Sequence, residues 1–167
     1  SIRDGILLPL DGQQRLTTLF LLHWYIAMKE GKLTEDISRV LDKFTYSTRI
    51  SSREFCHKLV YFDFDFDESH IISEVIKDSN WYFRSWDKDP TIKSMLIMID
   101  SINTKFFYTE GIFEKLIRDI GENPPITFSF ISLDDYSLTD DLYIKMNARG
   151  KNLSDFENFK AKFLQYL

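Results

Sequence analysis

The sequence predicts an α+β fold, predominantly α-helical, with a small β element near residues 6–10 and 126–133. Three observations predict it. Two long segments, Leu16 to about Lys29 and Thr91 to about Phe107, keep apolar residues at helical spacing. The stretch Ile126-Thr127-Phe128-Ser129-Phe130-Ile131-Ser132-Leu133 alternates and is rich in β-branched and aromatic residues, which reads as a strand. Capping residues and Gly or Pro stops divide the rest into helix-sized pieces.

In chain order, residues 6–10 form a short apolar strand that runs into Asp11-Gly12. The helix after it carries Leu16, Leu19, Phe20, His23, Ile26 and Ala27 on one side. Leu21, Leu22, Trp24 and Tyr25 fill its other faces, so it should be buried nearly all round. Gly31 suits a C-terminal αL position, and Thr34 starts a second helix through Leu41. Ser51 or Ser52 can cap a helix from Arg53 to about Phe62. Helices are further expected at Asp67–Lys77, Asn80–Trp86, Thr91–Phe107 (with Pro90 in the first turn) and Ile112–Ile120. The second of the long helices shows an apolar stripe of Ile92, Met95, Leu96, Ile99, Ile102 and Phe106, the pattern of a core face. Beyond the strand at 126–133, a helix is expected from Asp140 to Asn147, ended by Gly150. Ser154 and Glu157 make a capping box for a last helix through Tyr166.

A chain of 167 residues is one domain by size and can bury a real core. Fifteen Phe and three Trp imply a thick core, or apolar surface that a partner covers. A net charge of -5 argues against wrapping bare nucleic acid with the whole surface. The single Cys56 cannot form an internal disulfide, which makes a reducing cytoplasm the expected setting. The longest apolar run, Leu19 to Met28, is too short for a bilayer, so no membrane partner is expected. The chain opens at Ser1 without an initiator Met and is expected to be a trimmed piece of a longer protein.

The most function-like stretch is Asp11-Gly12-Gln13-Gln14-Arg15. Asp11 can cap the following helix, with Gln14 closing a capping box on its amide. Arg15 then falls in the first turn, where the helix dipole disfavours a cation. A well-capped helix start explains Asp11, Gly12 and Gln14 but leaves Arg15 unexplained. Free amides, two glutamines and an arginine at a helix start are suited to holding an anion. Near the other end, Asn147, Arg149, Gly150 and Lys151 read as an ordinary helix C-terminus on dipole grounds. From Lys145 to Lys162 there are five basic residues against two acids, a modest positive patch in an acidic chain that includes Lys145, Arg149 and Lys151.

Other constellations are weaker. Asp63 to Glu74 has acids at the first, third, fifth and twelfth positions of a calcium loop, but Glu68 replaces the required Gly and Phe fills two positions. An acidic linker with anchoring phenylalanines fits better. The segment 140–166 invites a helix-turn-helix reading, yet its turn is long and Asp155, Phe156 and Glu157 sit where bases would be read. His23, His57, His70 and Cys56 lack metal-ligand spacing, and no metal site is expected among them. No Walker, Gly-x-Ser-x-Gly, His-Glu-x-x-His or HNH-like pattern appears, so nuclease chemistry would reside in another domain.

The run Leu10-Asp11-Gly12-Gln13-Gln14-Arg15-Leu16-Thr17-Thr18-Leu19 resembles the hallmark of the DGQQR family, the N-terminal domain of GmrSD-type modification-dependent restriction endonucleases. Leu142 to Glu157 resembles the family's second signature, Asn-x-Arg-Gly-Lys-x-Leu-x-Asp-Phe-Glu. The resemblance implies a ParB/sulfiredoxin-like nucleotide-binding domain that hydrolyses a nucleoside triphosphate, with a divalent cation such as Mg. Asp11, Gln14 and Arg15 would be catalytic, Asp11 holding a metal or water. Gly12, Gln13, Gln14, Arg15, Asn147 and Arg149 would line the nucleotide pocket, with Asp155 and Glu157 behind them. Arg49, within a Thr-Arg-x-Ser-Ser run that the family shares, would face the same cleft or sit as a solvated loop arginine. The implied partner is DNA, reached through a linked or partner nuclease domain, and strands from before residue 1 would complete the sheet. The competing reading is a non-catalytic DNA-sensing or protein-docking module that uses Lys145, Arg149 and Lys151. A third is a piece inert alone because half its pocket is missing.

Overall fold

The structure, a computed structural model, describes residues 2, 3, 5–7, 9, 12–64 and 70–128. Two strands, β1 (Ile2–Arg3) and β2 (Ile6–Leu7), pair antiparallel with Ile2 opposite Leu7. Gly5, at φ +76°, makes the turn between them, a conformation that costs a glycine nothing. Among the described residues the helices are α1 (Gln13–Lys29), α2 (Glu35–Leu41), α3 (Ile50–Val60), α4 (Ile72–Asp78), α5 (Pro90–Phe106) and α6 (Phe113–Leu116). Short 3₁₀ turns lie at Arg84–Lys88 and Ile120–Glu122. The architecture is the expected helix-dominated α+β. The chain divides into two compact units: Gln14–Phe128, which holds the helical core, and a second whose described residues lie before Gln14.

The core of the helical unit forms around the distal half of α1. Phe20, Leu21, Trp24, Tyr25, Ile26, Ala27 and Met28 are all buried, and they cover every face of the helix. The same buried cluster holds Phe55, Cys56, Leu59 and Val60 of α3, Ile72 and Ile76 of α4, and the α5 stripe. That stripe is Ile92, Met95, Leu96, Ile99 and Ile102, with Phe106 half-buried beside it, as its spacing predicts. Each such side chain contributes about 1.5–3 kcal/mol on burial. Many of the aromatics are consumed here. Trp81, Tyr82 and Trp86 interlock with Phe55 and Phe62 at ring separations of 5.2–6.5 Å.

The ends of the helices are tied by specific polar groups. Gly31 (φ +64°) ends α1 in a Schellman turn, with Lys32 N–H on Ala27 O at 2.7 Å and Gly31 N–H on Met28 O at 3.0 Å. Lys29 donates its Nζ to the carbonyls of Phe106 (2.7 Å) and Thr109, past the end of α5. Glu30 accepts the amides of Ile112 (2.8 Å) and Phe113 (3.3 Å) where α6 begins. Both charges suit the helix dipoles they meet. Thr34 caps α2, as expected, through Ile37 N–H. Ser38 of α2 donates to Val60 O at 2.6 Å, and Asp100 of α5 accepts the Ser73 amide at the start of α4.

Several expected boundaries are corrected. The α3 helix starts at Ile50 with Arg49 as its flanking residue, so neither Ser51 nor Ser52 is its cap. Both hydroxyls donate instead to Oδ2 of Asp89, the N-cap of α5. The Asn80–Trp86 segment is not an α-helix: Trp81 and Tyr82 pack against the core, and only Arg84–Lys88 turns as 3₁₀. Tertiary demand for those rings overrides local propensity. The α6 helix ends after one turn, and Ile117, Arg118 and Asp119 beyond it are exposed. The α4 helix begins at Ile72, and residues 65–69 of the segment expected to precede it lie outside the described residues. Of the strand expected at 126–133, Ile126, Thr127 and Phe128 are not in strand in the described residues. Residues 129–133, and the helices expected at 140–147 and 154–166, lie outside the described residues. Leu8 and Leu10 of the expected strand 6–10 do too, so β2 is described as Ile6–Leu7.

Asp89 is the most heavily used polar group of the helical unit. It accepts Thr91 N–H at 2.8 Å and Ile92 N–H at 3.4 Å besides the two serines. Burial opposes its charge, but the hydrogen bonds from Ser51, Thr91, Ile92 and Ser52 outweigh this and hold its pKa below the ordinary aspartate value. Its contribution is therefore present above the unfolded aspartate pKa and lost as pH falls through the lower folded value. Asp89→Ala should destabilise the fold by about 1–3 kcal/mol in urea titrations at pH 7, more than Thr34→Ala at about 1 kcal/mol. The gap between wild type and Asp89→Asn should narrow as pH drops below about 4.

Candidate anion site at the start of the central helix

The start of α1 differs in character from its buried half. Gly12, at φ +85°, leads into the helix, and Gln13, Gln14 and Arg15 form its exposed first turn. Leu16 through Leu19 are half-buried, and full burial begins at Phe20. The helix begins three residues earlier than Leu16, so Arg15 is its third residue and no acid stands in the first turn. First-turn amides lack helical partners, and a 17-residue helix contributes a positive end there. Arg15 adds a positively charged side chain to this exposed turn. Asp11 lies outside the described residues, and with it one partner of the expected capping box.

Two threonines follow on the next turn. Thr18 Oγ1 donates to Gln14 O at 3.0 Å. Thr17 Oγ1 meets the Tyr46 hydroxyl at 2.7 Å, across 29 residues of sequence. Tyr46 is held in turn by Phe44, edge-on at 5.7 Å, and Phe44 stacks on Phe20 at 4.5 Å. The loop between α2 and α3 thus lies along the first half of α1. Burial raises the Tyr46 pKa, its bond to Thr17 acts the other way, and Cys56, Arg49 and Asp89 are close enough to act on it through their charges.

Arg49 has a role that the sequence does not reveal. Its guanidinium donates to Thr91 Oγ1, in the first turn of α5. It is exposed, and from the residue before α3 it reaches the first turn of α5 beside Asp89. Asn147, Arg149, Lys145 and Lys151, and the neighbouring Asp155 and Glu157, lie outside the described residues. Tyr46 and Thr17 escape sequence reasoning because nothing in either segment marks the other. Asp89 was within reach, since Asp-Pro is a cap followed by an N1 proline.

Elsewhere the described residues offer little chemistry. No group of three or more His, Cys, Asp or Glu among them could hold a metal ion. His57 Nδ1 pairs with Asp42 Oδ1 at 2.8 Å on the surface, joining the last turn of α3 to the end of α2. A shallow open groove of about 500 Å³ is lined by Phe62, His70, Ile71, Glu74, Val75, Asp78 and Ser79. No described helix is long and apolar enough to cross a membrane.

The helical frame defines the class: a small helix-rich domain with an exposed, polar start to its central helix. The family model described as "GmrSD restriction endonuclease, N-terminal domain" matches residues 1–164, and the chain belongs to that family. It is accordingly part of a restriction, phage-defence type of protein. No curated protein and no solved structure matches the chain.

Cys56 supplies a check on the packing around this site. Burial, and secondarily the charge of Asp42, push its thiol up to about 12. The thiol should therefore resist alkylation by iodoacetamide at pH 8 and react once urea unfolds the chain. Labelling that is as fast in the native state as in urea would contradict the buried placement.

Proposed function

We propose that this domain binds a nucleoside triphosphate at the first turn of α1 and hydrolyses it to regulate or drive a separate DNA-cleaving domain. The observation that carries this reading is the exposed, acid-free start of a long helix with Gln13, Gln14 and Arg15 on it. Membership of the GmrSD N-terminal family supports it. In this reading the α1 amides and Arg15 hold phosphate oxygens, and the two glutamine side chains orient them. Asn147 and Arg149 would be further nucleotide contacts in this reading. A divalent cation would come with the nucleotide, since Mg²⁺ is held by one or two carboxylates plus substrate phosphates. Asp11, the carboxylate of the motif, suits that task or the placing of the attacking water. The basic residues Lys145, Arg149 and Lys151 would serve DNA or the nuclease partner.

The test is triphosphate binding and turnover by the full-length protein, wild type beside Arg15→Ala and Asp11→Asn. Arg15→Ala should weaken binding by about 10-fold or more, the worth of a charge-assisted hydrogen bond. Asp11→Asn should lower turnover more than affinity. Equal turnover in wild type and Arg15→Ala would end the role given to Arg15. Salt-dependent DNA binding that survives Arg15→Ala and fails on joint substitution of Arg149 and Lys151 would favour a DNA-sensing module instead.

A further inference from the structure

Among the described residues, full burial on α1 begins at Phe20, whereas the groups assigned to the phosphate lie one to two turns earlier. An exposed helix start is steadied by contacts from outside the helix. Tyr46 is one group placed to supply such a contact. Its hydroxyl reaches Thr17 at 2.7 Å, a normal length for an O–H···O bond. Thr17 sits three residues after Gln14, on the same face of the helix one turn on. Phe44 lies edge-on against the phenol ring and is itself stacked on Phe20 of the buried half. The chain Phe20, Phe44, Tyr46, Thr17 therefore leaves α1 in its fixed part and returns to it near its open end.

We propose that Tyr46 is a positioning residue for the phosphate site: through Thr17 it fixes the direction in which the first turn of α1 presents its amides, Gln14 and Arg15. This rests on the reading of that turn as a triphosphate site. Tyr46 touches no phosphate. It acts by removing motion from the helix end, so that the ligand does not have to order it on binding.

The experiment uses the full-length protein and calorimetric titration with ATP, GTP, CTP and UTP, each with Mg²⁺, well below the melting temperature of every variant. Tyr46→Phe keeps the ring and loses the hydroxyl. It should weaken triphosphate binding about 5-fold, the effect of one lost hydrogen bond. Thr17→Val should do the same, and Thr17→Ser, which keeps the hydroxyl, should bind like wild type. The double variant Tyr46→Phe with Thr17→Val should be no weaker than either single one, because both remove one contact. A merely structural role would lower the melting temperature and leave affinity unchanged. Wild-type affinity in Tyr46→Phe, weakening by Thr17→Ser, or additive losses in the double variant would overturn the proposal. If Arg15→Ala abolishes binding while Tyr46→Phe does not alter it, the site stands and the positioning role falls. If wild type binds none of the four triphosphates, the site falls and the positioning role with it.

Discussion

A helix with no polar face can exist only inside something, and the distal half of α1 is such a helix. Seven of its residues from Phe20 to Met28 are buried, and they demand partners on every side. The α3, α4 and α5 helices answer that demand with their own apolar stripes, and the aromatic segment between α4 and α5 fills what they leave. Polar groups are consequently pushed to the ends of the elements. Caps, clamps and candidate ligands all occur where helices start or stop. The open N-terminal turn of α1 and its tightly held C-terminus are two outcomes of one constraint.

The same logic explains the junction at Asp89. Two helices, α3 and α5, begin side by side, and each start needs acceptors for its free amides. One carboxylate serves the α5 amides directly and gathers Ser51 and Ser52 from α3, while Arg49 closes the junction on Thr91. A Thr-Arg-x-Ser-Ser run can look like ligand chemistry. In the described residues, its arginine and both its serines are engaged in joining two helices.

Much of this was legible in the residues. The α5 stripe, the αL glycine at 31, the cap at Thr34 and the short strand beginning at Ile6 all follow from local pattern. Local pattern fails where a side chain is claimed from far away. Ser51 and Ser52 are good caps in isolation, and Asp89 takes them. Trp81 and Tyr82 have enough helix propensity to be read into a helix, and the core takes their rings. In the second turn expected of α6, Ile117 has the right spacing and is exposed. Of the candidate site, the exposed polar turn at Gln13–Arg15 was plain from the sequence, whereas its brace at Tyr46 lies 29 residues beyond Thr17 and carries no local mark.

The adjacent charges at the far end of α1 have a consequence for how this domain can vary. Lys29 reads the carbonyl end of α5, and its neighbour Glu30 reads the amide start of α6. Each residue added to or removed from α1 turns that pair by about 100° relative to the opposite end of the helix. One inserted residue would aim the lysine and the glutamate away from both partners while leaving the composition untouched. The helix therefore behaves as a gauge rod about 25 Å long, with its rotation indexed at both tips. Natural variants should accept changes of side chain along it far more readily than changes of length.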